Sequence, residues 1–140
     1  MKNSMRVASY ATFAVLEAFV AQSSFAGAGW YLLVPPSSDY DERAQFLSGV
    51  KILDTQLLSK WAQKGAYDSA SECEAVKHSL LMVEHNLYSK ASADYISAVG
   101  ANKDPALLKH MRWTTERSNA NVNALSASRC IKSDDPRLRK

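Results

Sequence analysis

Apolar and polar positions follow a helical period through the middle of this chain. Between residues 70 and 99, apolar residues recur at spacings of three and four, the period of an amphipathic helix; they are Cys73, Val76, Leu80, Val83, Leu87, Ala91, Tyr95 and Ala98. Ser69 and Glu72 have the S-x-x-E spacing of a capping box, and Gly100 is typical of a helix end. The pattern predicts an amphipathic helix of about 30 residues.

A second helix is predicted from Pro105 to about Ser128. Asp104 is a typical N-cap, and proline is favoured at the first helical position because its missing N–H needs no partner there. The same spacing continues, less hydrophobically, through Leu108, Met111, Thr115, Ser118, Val122 and Leu125. The short connection between the two helices predicts that they pack as antiparallel neighbours.

Three shorter stretches have the residues of β-strands, and they are Trp30–Val34, Lys60–Tyr67 and Arg129–Lys132. Trp30 and Trp61 are expected to be cross-strand core partners, and Gly65 is expected to mark a bulge. Residues 37–56 allow two interpretations. One is a short helix capped by Asp39 with a stripe of Phe46, Leu47 and Val50, and the other is a partly ordered excursion.

These elements predict the fold class α+β. The expected architecture is a long antiparallel helical hairpin with a short two- to three-stranded antiparallel sheet at one end and one disulfide. The part of the hairpin beyond the sheet would project as an arm. With 140 residues, the chain is long enough for one domain only.

The first 26 residues have the pattern of a secretory signal peptide. Lys2 and Arg6 precede a mostly apolar run, and small residues with signal-peptidase spacing follow at Ser24, Ala26 and Ala28. Glu17 interrupts the apolar run, so an uncleaved anchor or a buried N-terminal helix is the alternative. The expected organisation is a signal peptide at 1–26 and a single α+β domain at 27–140. It predicts an exported protein, periplasmic or extracellular, without a stable membrane span after cleavage.

Two cysteines, Cys73 and Cys130, remain in the mature chain. Residues 70–99 would span about 44 Å and residues 105–128 about 35 Å, so an antiparallel second helix returns almost to the start of the first. Cys130 then lies level with Cys73, and a disulfide between them would persist in an exported protein. The alternative is a pair of free or redox-active thiols, although the chain has no C-x-x-C motif.

Composition and motifs exclude several function classes. The net charge of +3, with clustered basic residues only in the terminal RLRK, gives no basis for nucleic-acid binding. No C-x-x-C-H, G-x-S-x-G or phosphate-binding glycine loop is present. We therefore expect no catalytic residues and no cofactor.

The histidines and acidic pairs offer weak candidates for chemistry. His78 and His85 are seven residues apart on the first helix, too far to bind one ion together, whereas Glu74 and His78 have the i, i+4 spacing of a helical metal site. Such a site would need a further ligand from elsewhere in the chain; His110 is a candidate, but nothing in the sequence places it there. The neighbouring Asp134 and Asp135 are expected to serve a terminal turn, with Arg137 forming a surface ion pair with one of them; the three residues belong to the stretch SDDPR.

Trp113 lies off the apolar stripe of the second helix, next to Arg112. An exposed tryptophan beside an arginine is a typical anchor of a protein interface. Trp113 and Arg112 are therefore the candidate interface residues. The favoured function is a non-enzymatic contact with a protein partner, or self-association, through the helical arm. The alternative is a periplasmic small-ligand or metal-binding protein.

Three stretches resemble motifs of an uncharacterised group of small exported bacterial proteins, and they are WYLLVPP, WAQKGAYDSASECEA and RCIKSDDPRL. In that group three motifs recur: an Ala/Trp-Tyr-Leu-Leu/Met-Pro-Pro-type start, a Tyr/Phe-Asp-Ser/Thr-Ala-x-x-Cys helix entry and an Arg-Cys-Ile/Val-x-Ser/Thr-Asp-Asp-Pro-Arg-Leu end. The resemblance covers roughly a third of the mature chain. It implies a bacterial cell-envelope setting and supports the pairing of Cys73 with Cys130, but it implies no reaction and no ligand.

Overall fold

The computed structural model describes residues 29–44 and 49–139, and the predicted signal peptide lies outside them. The elements follow in the order β1 (Trp30–Val34), β2 (Ala62–Tyr67), α1 (Ala70–Gly100), α2 (Pro105–Ala127) and β3 (Arg129–Lys132). Two short 3-10 helices, Leu58–Lys60 and Pro136–Arg139, precede β2 and end the described chain. The α+β class and the helical hairpin with its small sheet are confirmed.

The sheet is three-stranded and antiparallel, in the order β2-β1-β3. The β1–β2 register shifts between Leu32, opposite Gly65, and Leu33, opposite Gln63, so Lys64 is the additional residue of a bulge. The bulge predicted at Gly65 is thus confirmed within one residue. Glycine suits Gly65 because a Cβ there would collide with the Tyr67 ring.

The two faces of the central strand β1 are both covered. Leu32 is opposite Cys130 in the register, so its side chain lies on the sheet face that the disulfide joins to α1, where it is fully buried. Leu33 lies on the other face, in a cluster with Leu58, Trp61 and Ile131. Burial on both faces explains why apolar residues occupy consecutive positions of β1.

The expected cross-strand pair of Trp30 and Trp61 is wrong. Trp30 is opposite Tyr67 and Lys132 at one end of β1, whereas Trp61 precedes β2, beyond the opposite end of β1. The Trp61 indole N–H donates to the Gln56 carbonyl at 3.1 Å. Lys60 and Trp61, predicted to begin this strand, instead end the 3-10 helix Leu58–Lys60 and form its C-cap, which the strand-like residues of the stretch did not reveal.

Both helix starts follow the predicted capping chemistry. The Ser69 hydroxyl accepts from the Glu72 N–H at 3.1 Å, and the Glu72 carboxylate accepts from the Asp68 N–H. Asp104 accepts from two N–H groups of the first turn of α2, with Pro105 at the first helical position. The predicted end signal differs, because α1 includes Gly100 and the left-handed conformation is at Asn102, with φ of 54°.

The predicted contact face of α2 is confirmed, since Thr115 and Leu125 are buried and the other members of its stripe are partly buried. The stripe of α1 is only partly correct. Its ends, Cys73 and Ala98, are buried and Val76 is partly buried, but Leu80, Val83 and Leu87 in its middle are exposed. A single neighbouring helix covers only part of a helix surface, and small or polar groups form the contact here. The Thr115 hydroxyl, for example, donates to the Ala91 carbonyl at 3.2 Å.

The disulfide between Cys73 and Cys130 is present, with an S–S distance of 2.03 Å and a Cα–Cα distance of 6.0 Å. It joins the first turn of α1 to β3 and is sealed from solvent at Cys73, whose exposure is 0%. The geometric argument from the two helix lengths is confirmed. The described chain contains no free cysteine.

In the described residues 37–44 and 49–53 the chain forms no helix, and we call this stretch, residues 37–53, the covering segment. Its two sides run antiparallel, joined by a bridge between Ser37 and Ile52 and by backbone bonds from Ser38 to Lys51 and from Asp41 to Gly49. Phe46 and Leu47, named for the alternative helix, lie outside the described residues. The described parts have the form of an excursion that doubles back on itself.

The disulfide closes a loop of 57 residues. Replacing both cysteines by serine removes this constraint on the unfolded chain, and we expect the free energy of unfolding to fall by about 4 kcal/mol. Urea denaturation of the oxidised wild type and of the Cys73→Ser, Cys130→Ser double variant measures the difference. The wild type with its disulfide reduced is the matched control and should show the same loss, and a loss below about 1 kcal/mol in both would contradict the prediction.

Candidate functional site

The covering segment is held on α2 by a buried ion pair. Glu116 lies within α2, and only 1% of its side chain is exposed. Its carboxylate accepts from the Gly49 N–H at 2.7 Å and from the Arg112 Nε at 2.9 Å, and the Arg112 Nη2 donates to the Ala44 carbonyl at 2.6 Å. The two charged groups therefore satisfy backbone groups on both sides of the segment, which compensates part of the cost of burying them.

Gly49 is required at this contact. A Cβ at this position would overlap the Glu116 carboxylate and the Tyr40 ring, so only a residue without a side chain allows the approach. Burial, and secondarily the negative charge of Glu116, raises the pKa of Tyr40 above its ordinary value. An exposed ion pair between Lys109 and Glu42 adds a further contact at 2.9 Å. The segment thus closes one side of α2.

The opposite side of α2 borders an open groove between the two helices. At 100° per residue, positions 110, 114 and 118 point about 180° away from positions 112 and 116, which hold the covering segment. The groove has a volume of about 410 Å³. Its lining within the described chain comes from the two helices, and the residues are Leu87, Lys90, Ala91, Asp94, His110, Met111, Thr114 and Ser118.

Apolar side chains of α1 are exposed along and beside this groove. Val83 is 55% exposed and Leu87 is 53% exposed, and Leu80 lies on the same side, nearer the sheet. These are the central members of the predicted apolar stripe. These residues do lie on one face of α1 as predicted, but the middle of that face lies beside the contact with α2 rather than within it. A two-helix layer leaves this face without a partner in the described structure.

The structure places the two candidate interface residues differently. Trp113 is 43% exposed on the outer surface of α2. Its ring stacks with His110 at a centroid distance of 6.1 Å, and the Arg117 guanidinium lies 5.8 Å from the ring centroid. Arg112, by contrast, turns inward to Glu116 and the covering segment. The cation beside the exposed tryptophan is therefore Arg117.

Comparison with protein-family models, with curated proteins and with solved structures finds no match to this chain. Within residues 29–44 and 49–139, no helix combines the length and the apolar character that a membrane crossing requires.

The histidine candidates do not come together with acidic residues. Glu74 and His78 are both exposed on α1, and Glu74 pairs with Lys77 at 3.5 Å. His110 contacts Trp113 on α2. Over the ranges that the structure describes, no cluster of three or more His, Cys, Asp or Glu side chains could hold a metal ion.

The terminal acidic residues form the expected surface structure. Asp135 receives three hydrogen bonds from the Arg137 guanidinium, the shortest at 2.7 Å, and accepts from the Arg137 backbone N–H at 2.9 Å. Asp134 pairs with Lys132 at 3.3 Å. The two carboxylates thus have different cationic partners, and the interpretation as turn chemistry with a surface ion pair is confirmed.

Sequence reasoning did not identify Glu116, Gly49 or Arg117 as important. Glu116 and Arg112 have an i, i+4 spacing that is usually a surface pair on a helix, and nothing in the sequence indicated that a distant segment covers them. Arg117 follows Trp113 by four residues, so its contact with the ring could have been predicted from helical spacing.

Replacing Glu116 by alanine should release the covering segment. The change leaves the Gly49 N–H without its acceptor and the Arg112 guanidinium without its ion-pair partner, so we expect a loss of about 3 kcal/mol in the free energy of unfolding. Amide hydrogen exchange should accelerate at Ser38, Asp41 and Lys51. Glu74→Ala removes a more exposed ion pair of α1 as the control and should change stability by less than about 0.5 kcal/mol; equal effects of the two variants would rule out the proposed role of Glu116.

The Arg137 guanidinium lowers the pKa of Asp135 from 3.8 to about 2. Because the folded pKa lies below the unfolded value, this pair stabilises the fold above about pH 4, and the contribution disappears as the pH falls towards 2. An NMR titration of the Asp135 carboxyl measures the pKa directly. Arg137→Ala should return it towards 3.8, whereas Arg139→Ala should not change it; a wild-type value near 4 would show that the pair does not form in solution.

Proposed function

We propose that this protein is an exported, non-enzymatic protein of the cell envelope that acts by binding another protein through its helical hairpin. The observation that carries the proposal is the exposure of apolar side chains at the middle of the hairpin, Val83 and Leu87 on α1 and Trp113 on α2. Isolated exposed apolar residues are normal, but a set that lines and borders one groove, as Leu87 and Val83 do, is typical of an interaction surface, and Trp113 adds an exposed aromatic residue on the outer surface of α2. The covering segment lies on the other side of α2, so only the groove side of the described hairpin is open to a partner.

The chemistry of the groove supports binding over catalysis. Its floor is apolar, and its polar members, apart from one Lys–Asp pair, are a histidine and small hydroxyl residues. Protein interfaces have this composition, with charged residues depleted at the centre and aromatic residues and methionine enriched. Trp113, with its His110 and Arg117 neighbours, adds an aromatic anchor at the edge.

The disulfide supports the proposed location. A bond that joins the two halves of the fold persists in the bacterial periplasm and outside the cell, where conditions are oxidising, and is rare in the cytosol. The predicted signal peptide and the resemblance to small exported bacterial proteins agree with that setting.

Site-specific photo-crosslinking in intact cells tests the proposed surface. A photoreactive residue at Val83, Leu87 or Trp113 should produce protein adducts, because these side chains are exposed on the hairpin. Leu57 is the matched control, since it is an equally exposed apolar residue, at 59%, and lies outside the hairpin. Adducts of equal yield at Leu57, or no adducts at the three hairpin positions, would overturn the proposal.

A further inference from the structure

We infer that the open groove binds the same groove of a second copy of this chain, so that two hairpins pack face to face about a two-fold axis. The inference rests on the proposed protein-binding function and names the partner. Identical surfaces that meet across a two-fold axis must be self-complementary in shape and in charge.

The charges of the groove are self-complementary. Lys90 and Asp94 are the fully charged members of its lining, and they have opposite signs. They lie one turn apart on the same rim and form an exposed ion pair at 2.7 Å. If two α1 helices meet antiparallel with the axis midway between these positions, Lys90 of each copy lies level with Asp94 of the other. The four charges then alternate in sign, and no like charges are brought together.

The centre of the groove coincides with the midpoint of this charge pair. The Thr115 hydroxyl bonds to the Ala91 carbonyl, and the Asn121 amide bonds to the Glu84 carboxylate at 3.2 Å, which fixes which turns of α1 and α2 are level. By this alignment the α2 lining, residues 110–118, is centred close to position 92 of α1. The α1 lining, residues 87–94, is centred at nearly the same level. A two-fold axis at this level therefore passes through the centre of the apolar floor and through the midpoint of the Lys90–Asp94 pair.

The sheet limits how far the two copies can overlap. On this same side Val34 and Ala62 of the sheet line a cavity together with Leu80 and Glu84 of α1, so the sheet stands beside the hairpin at this level. A second hairpin can therefore cover α1 only from about residue 84 to residue 100, a length of about 24 Å. With two helices about 10 Å apart, the footprint is about 480 Å² per copy.

This footprint sets the expected strength of association. Stable interfaces bury about 800 Å² per partner, so the two hairpins would form a small interface. We expect a reversible dimer with a dissociation constant in the micromolar range rather than a permanent one. The association should weaken with salt because the rim charges are exposed.

Sedimentation equilibrium of the purified, disulfide-bonded chain tests the inference across about 5 to 500 µM, a range that brackets micromolar association. The wild type should shift from monomer to dimer. Lys90→Asp places like charges opposite each other and should weaken dimerisation at least about tenfold. The charge-swapped variant Lys90→Asp, Asp94→Lys restores alternation and should return to within about threefold of the wild type. Both positions are exposed, so circular dichroism should show all variants folded.

A chain that stays monomeric over the whole range overturns the inference. A dimer whose affinity Lys90→Asp leaves unchanged also overturns it, since association would then use another surface. The inference is overturned as well if the charge-swapped variant does not regain the affinity of the wild type. Photo-crosslinking at Leu87 distinguishes a failure of the self-association inference from a failure of the proposed protein-binding function. Adducts of twice the chain mass support the second copy, whereas Leu87 adducts of other masses only would retain protein binding and reject self-association.

Discussion

The bond between Cys73 and Cys130 fixes the relation between the helical hairpin and the sheet. It ties the first turn of α1 to β3, an edge strand, and buries Leu32 of the central strand beneath the joined elements. A sheet of three short strands contains little apolar surface of its own, and such small sheets need a packed partner to be stable. With one end of the hairpin held in this way, the other end extends away from the sheet, where the covering segment contacts α2 through Lys109 and Arg112.

In the middle of the hairpin small and polar groups take part in the contact between the helices, and this has consequences for the surface. Where α1 meets α2, Ala91, Thr115 and the Glu84–Asn121 pair form the contact, so the larger apolar residues of α1 remain beside it. The covering segment closes one side of α2 through Glu116 and Arg112. The remaining side has the exposed stripe and the groove. The two sides of the hairpin therefore differ because the buried Glu116–Arg112 pair holds the covering segment on one side only.

The proposed protein-binding surface uses residues that contribute little to the fold. Leu87 and Val83 are about half exposed, and Lys90 and Asp94 form a pair that is exposed to solvent. Exposed ion pairs of this kind stabilise a helix by only a few tenths of a kcal/mol. A surface of this type can change without loss of folding, which separates the effect of a substitution on binding from its effect on stability.

Much of the architecture was determined locally by the sequence. The capping residues Ser69 and Asp104, the apolar spacing of α2 and the lengths of the helices were sufficient to predict the hairpin and to bring Cys130 to Cys73, because each depends on neighbours within a few turns. The tertiary structure alone decided that Trp61 leaves the sheet, that Glu116 is buried, and that the middle of the α1 stripe is exposed. Burial depends on which distant segment covers a residue, and a periodic pattern records a helix face without recording what lies against it.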